Sequence, residues 1–167
     1  MPKNAFKKFK AASLKSVTGT FYPPPFHTPC LKRSRKGLGD AAKLTQFGVN
    51  LLTLPPGAWS SQRHWQTESD EFVYVLSGEV VLVTDAGEET LKPGDCAGFK
   101  AGDANGHHLQ NRTRKNATVL EIGTRLDSDG AGYPDIDMLA PAFGKPAIYT
   151  RKDGTPYRGL RRRAGKG

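Results

Sequence analysis

The sequence predicts an all-β domain, a small sandwich or barrel, flanked by extended segments. Three observations carry this. Gly (19) and Pro (12) are frequent, and no long helical repeat appears. The middle of the chain holds short apolar runs rich in β-branched and aromatic residues. Tight-turn signals separate those runs at short intervals. At 167 residues the chain suits one domain plus tails, enough to enclose a core without cross-links.

Residues 1–36 read as an extended basic leader, in which Phe21-Tyr22-Pro23-Pro24-Pro25-Phe26 is stiffened by proline. Residues 37–127 read as the barrel. Gln46 to Leu54 alternates like a half-buried strand, and Pro55-Pro56-Gly57 ends it. Glu71 to Leu76 is the densest β signal. If Glu71 faces inward, so do Val73 and Val75, while Phe72, Tyr74 and Leu76 face the other way. Ser77-Gly78 predicts a hairpin that returns Glu79 to Thr84 beside that strand. Asp85-Ala86-Gly87 turns the chain again before Glu88 to Leu91. Lys92-Pro93-Gly94-Asp95 has the proline and glycine placement of a type II turn. Strands are expected at Cys96 to Phe99, at His107 to Asn111 after an Asn105-Gly106 turn, and at Ala117 to Arg125. Residues 128–167 read as an irregular basic segment, with Gly130, Gly132, Pro134, Pro141, Pro146 and Pro156.

The net charge of +9 lies mainly in these flanks. Lys3, Lys7, Lys8, Lys10 and Lys15 open the chain, Lys32, Arg33, Arg35 and Lys36 follow, and Arg158, Arg161, Arg162, Arg163 and Lys166 close it. Such runs can attract nucleic acid or an anionic surface, but no DNA-reading helix or RNA-binding motif accompanies them, so solvated ends are the expected reading. There is no apolar leader or membrane-length apolar run, so a soluble cytoplasmic protein is expected. Cys30 and Cys96 lack the spacing of a metal motif, and Cys96 is expected to be a buried thiol in a strand.

Of the four histidines, His27 lies in the leader, while His64, His107 and His108 fall in the strand-rich region. His64 and Gln66 are two apart and share a face of an extended segment. Adjacent His107 and His108 point to opposite faces, so one of them can join an interior site. Two imidazoles and a carboxylate form a facial set for a divalent transition metal. Taken singly, a strand histidine is more often a hydrogen-bonded structural residue than a ligand.

These segments resemble the cupin superfamily. Gly57, His64, Gln66, Glu71 and Gly78 follow its first motif, with Gln66 in place of the second histidine. Gly94, Lys100-Ala101-Gly102, His107 and Asn111 follow its second motif, with lysine in place of proline and extra residues before His107. More narrowly, the chain is similar to single-domain bacterial cupins. The resemblance implies a double-stranded β-helix, the jelly-roll barrel. It implies a divalent metal (zinc, iron, manganese or nickel) on His64, Gln66, Glu71 and His107. Gln66 offers a neutral oxygen, a weaker donor than imidazole toward late transition metals. Glu71 is the candidate catalytic residue.

Two functions follow from the resemblance. One is a metal-dependent oxygenase, isomerase or lyase on a small molecule. The other is a non-catalytic module that binds a sugar-like ligand at a weakened or lost metal site. A homodimer is expected, because Phe72, Tyr74 and Leu76 make an apolar patch needing cover.

Overall fold

The computed structural model describes residues 8–142 and 149–158. Lys3, Lys7, Pro146 and the terminal cluster of Arg161, Arg162, Arg163 and Lys166 lie outside the described residues. The regular secondary structure of the described residues is almost entirely β. In order, β1 (Val17–Thr18) and β2 (Ser34–Gly37) precede one helical turn, α1 (Leu38–Ala41). Then come β3 (Phe47–Leu54), β4 (Trp65–Gln66), β5 (Glu71–Ser77), β6 (Val80–Thr84) and β7 (Gly87–Leu91). The series ends with β8 (Cys96–Phe99), β9 (His108–Gln110), β10 (Ala117–Thr124), β11 (Ala131–Tyr133) and β12 (Met138–Ala140).

One sheet has the order β1-β2-β3-β10-β5-β8, a second β7-β6-β9, and a third β12-β11-β4. Leu52, Leu54, Val75 and Val119 from the first sheet pack with Val80 and Leu109 from the second in one buried cluster. This is the jelly-roll architecture. Inward residues alternate along β5: Val73 and Val75 are buried, while Phe72, Tyr74 and Leu76 are exposed. Segments from both flanks are built into the structure. β1 and β2 extend the first sheet, and β11 pairs with β4. Tyr22 and Cys30 share a second buried cluster with Tyr133 and Met138.

Three local expectations are corrected. β6 does not return beside β5. It pairs with β7 and β9, whereas β5 pairs with β10 and β8. Ser77-Gly78 therefore carries the chain from one sheet to the other. Gly78 is required there, because φ is +76° and a Cβ would lie 2.6 Å from the Asn116 carbonyl oxygen. The turn before β9 forms at Lys100–Asp103, where the Asp103 amide donates to the Lys100 carbonyl at 3.2 Å. Gly106 instead sits against Pro134, whose Cγ would be 2.7 Å from a Cβ. Cys96 is exposed on β8, and the buried thiol is Cys30. The Lys92–Asp95 turn forms as expected, with the Asp95 amide donating to the Lys92 carbonyl at 2.9 Å.

Candidate metal centre

An antiparallel bridge between residues distant in sequence builds the site. The His64 amide donates to the His107 carbonyl (3.2 Å), and the His107 amide to the His64 carbonyl (2.8 Å). Side chains at such a bridge stand next to each other, and the two imidazole centroids are 4.9 Å apart. Glu71 opens β5, paired in register with Phe99 of β8 and Gly123 of β10. Its Oε2 lies 2.9 Å from His107 Nε2 and 3.5 Å from His64 Nε2. One donor atom from each of the three residues can be chosen so that all lie within 4.8 Å of one another.

The rings around the triad are fixed by packing. Phe99 lies flat on His107, with centroids 3.5 Å apart and an interplanar angle of 2°. Tyr133 stacks on His64 at 5.8 Å. His64 Nδ1 lies 3.1 Å from the Gln62 carbonyl, which can only accept, so Nδ1 carries the proton. In the neutral imidazole that leaves the lone pair on Nε2, the nitrogen facing Glu71, free for an ion; when His64 is protonated, Nε2–H donates to Glu71 instead. Burial opposes the charge on Glu71, yet hydrogen bonds from His107 and His64 hold its carboxyl well below the usual carboxylate range. Burial also works against protonated His64, but Glu71 outweighs it and raises the imidazole above its ordinary value. For His107 burial prevails, and its pKa is lowered.

The donor set fits a divalent ion: two imidazoles, one of them in the ligating tautomer, and an ionised carboxylate. Gln66 lines the same cavity, with its amide nitrogen turned to donate to the Gly130 carbonyl and Asp129 Oδ2, each at 3.0 Å. His108 points away from the triad. It is buried, with Nδ1 3.0 Å from the Ser61 carbonyl and its ring edge-on to Trp59. Asn111 is also buried, donating to the carbonyls of Leu54 and Lys115 at 2.7 Å each. Arg63 is held by Asp135 and Asp85.

The triad opens into a cavity of about 390 Å³. Several of its walls were not singled out from sequence as site residues. Asp129, buried, accepts from the amides of Glu68 (2.9 Å) and Ser69 (3.3 Å) and secures the loop after Gln66. Tyr22 and Tyr133 meet edge to face at 5.7 Å. Arg35 pairs with Glu121 through two contacts of 2.6 and 2.8 Å. The available signal was the two-residue spacing of Arg33 and Arg35, which puts both on one face of an extended segment.

A family model described as a cupin domain matches residues 50–123. A sugar phosphate isomerase of the cupin superfamily from Silicibacter pomeroyi is 47% identical, with a TM-score of 0.86 over 90% of this chain and 96% of that one. The chain belongs to the cupin superfamily. A proposed sugar phosphate isomerase from Acidithiobacillus ferrooxidans is 32% identical to this cupin, with a TM-score of 0.67 over 78% of this chain and 82% of that one. A polyketide cyclase from Streptomyces resistomycificus shares the cupin fold at 18% identity, TM-score 0.58, over 72% of this chain and 80% of that one. No curated protein matches this cupin. No described helix is long and apolar enough to cross a membrane.

Proposed function

We propose that this cupin is a metal-dependent isomerase of a small phosphorylated sugar. The observation that carries the reading is the convergence of His64, Glu71 and His107 at the wall of a ligand-sized cavity. The similarity to the Silicibacter pomeroyi protein supports the reaction class. A divalent ion on these three side chains would supply Lewis acidity toward a sugar carbonyl or hydroxyl oxygen.

The chain's own residues set the conditions. Glu71 remains ionised at neutral pH and supplies the negative charge of the donor set. Phe99 and Tyr133 hold the imidazole planes and restrict water at one side of each ring. In an aldose–ketose interconversion a proton leaves C2 and one is delivered to C1, while the O2 hydroxyl proton passes to O1. No external oxidant or reductant is needed. Glu71 is the candidate group for carrying the proton.

The test is metal analysis of protein purified without added metal, followed by NMR observation of aldose and ketose phosphates. Bound divalent metal and interconversion that both vanish in His64→Ala are expected. A chain that neither contains nor takes up metal overturns the reading.

One observation favours a second reading. Gln66 stands where the family motif has a histidine, and its amide nitrogen is committed to Asp129 and Gly130. A cupin with a weakened metal site would bind a sugar-like ligand without converting it. Thermal stabilisation by such a ligand with no turnover distinguishes this case.

A further inference from the structure

On the wall of the cavity that holds the triad, Arg33 has no ion-pair partner among the described residues. Arg33 lies immediately before β2 and Arg35 upon it, and both line the cavity that holds the triad. Arg35 is matched by the Glu121 carboxylate. Arg33 meets only uncharged acceptors among the described residues. Its Nε donates to the Gly19 carbonyl (3.2 Å), Nη2 to Thr20 Oγ1 (3.2 Å), and Nη1 to the Ser60 carbonyl. The Tyr22 ring, 5.6 Å from the guanidinium carbon, adds a cation–π contact but no countercharge. A guanidinium has five N–H donors, so two of those on Arg33 are left without a described protein partner. Nη1 of Arg35 likewise has no described acceptor.

The other carboxylates of the lining are engaged elsewhere, Glu71 with His107 and Asp129 with the amides of Glu68 and Ser69, so Glu121 is the one carboxylate paired with these two arginines. A partly buried cation that has given up water without a countercharge is unfavourable unless something supplies one. The four tethers of Arg33 (three hydrogen bonds and one aromatic face) fix its plane before any ligand arrives. Such a preset fork suits a tetrahedral oxyanion, which it meets through paired N–H donors.

We propose that Arg33, with Arg35 beside it, binds the phosphate group of the substrate while the sugar end reaches the His64–Glu71–His107 triad. This rests on the proposed function for its choice of anion, but Arg33 and the triad are separable by experiment. Inorganic phosphate is titrated calorimetrically into the full chain after metal has been stripped with a chelator. Saturable binding is expected. It should weaken about tenfold or more in Arg33→Gln and change less than about twofold in His64→Ala. Metal content, measured on the same variants before stripping, should show the reverse pattern. Undiminished phosphate affinity in Arg33→Gln, or no phosphate binding by the stripped wild type, overturns the assignment whatever the metal result. Should Arg33→Gln fail to fold, wild-type crystals soaked in phosphate decide. An anion within hydrogen-bonding distance of Arg33 upholds the proposal, and phosphate found only elsewhere, or nowhere, overturns it.

Discussion

At one place on the cavity wall, His64, Glu71 and His107 are presented by the barrel's own backbone pairing. At another, Arg33, Arg35 and Tyr22 come from the segment that precedes the barrel. Ladder hydrogen bonds fix the first group. The His64–His107 bridge and the Glu71 pairing set the side-chain directions before any side-chain contact forms. In the second group only Arg35 has a place in a ladder, opposite Leu52 and Val17, and the guanidiniums of Arg33 and Arg35 are held through their side chains, by Glu121, by Thr20 and by the carbonyls of Gly19 and Ser60. Ser60 joins the two, because the strap after it leads to Ser61, whose hydroxyl lies 3.2 Å from His64 Nδ1. Substitutions in the triad should therefore affect metal binding more than folding, and substitutions at the arginines should affect folding and anion binding more than metal binding.

Glu71→Gln is the sharpest probe of that contrast. It keeps the shape of the side chain and removes the only charge in the triad. Metal affinity should fall by about a hundredfold or more, read by competition with a chromogenic chelator, while in urea the metal-free protein loses only the smaller stabilisation that ionised Glu71 draws from the two imidazoles at neutral pH. A large loss of stability without loss of metal would reverse the contrast.

Arg35→Met addresses the other group. Arg35 and Glu121 are both partly buried, with side-chain exposures of 27% and 20%. Removing the cation leaves Glu121 without its partner and frees the Ser60 carbonyl from one donor. A loss of about 2 kcal/mol is expected in urea unfolding, below the range for a fully buried pair because solvent reaches both groups. An unchanged midpoint would show that the Arg35–Glu121 pair does not secure the strap leading to His64.

Neighbouring His107 and His108 offer a third comparison, made through pH. Burial pushes the His108 pKa down to about 4. Between that value and about 6.5, where an unfolded imidazole titrates, the unfolded chain binds more protons. Stability should therefore be lost as the pH drops through this window, by about 1.4 kcal/mol per unit from this group at most. In His108→Phe the slope between pH 6.5 and 4 should be shallower by that amount, measured by urea unfolding at a series of pH values. An unaltered slope would mean that His108 is not kept neutral by the fold.

The triad was legible because its spacing follows a family motif and because strand alternation fixes which neighbours share a face. β5 shows this most plainly: Val73 and Val75 are buried, and Phe72 and Tyr74 are exposed. The turn at Lys92–Asp95 was legible because proline and glycine determine its φ angles locally. What escaped depended on partners far along the chain. Arg35 meets Glu121 across 86 residues, and Asp129 meets Glu68 across 61. Nothing in a local window distinguishes such residues from solvated charges. Ser77-Gly78 misled for a related reason. A glycine with positive φ serves a hairpin and a sheet-to-sheet crossing equally well, and the pairing of β6 with β9 decides which one forms.

Gln66→His is the smallest and most informative change. The present amide nitrogen donates to the Gly130 carbonyl and to Asp129 Oδ2, each at 3.0 Å. Asp129 also accepts from the loop amides of Glu68 and Ser69, so the amide helps anchor that loop. Histidine would forfeit at least one of the amide's two hydrogen bonds, costing about 1 kcal/mol of stability in the metal-free protein. It would add an imidazole to the donor set, which should tighten a late transition metal about tenfold. The two effects oppose each other in apo stability and metal affinity, so both must be measured on the same preparation. Tighter nickel or zinc binding with a lower apo unfolding midpoint is expected. Unchanged affinity would place residue 66 outside the coordination sphere and leave it solely an anchor for the 66–69 loop.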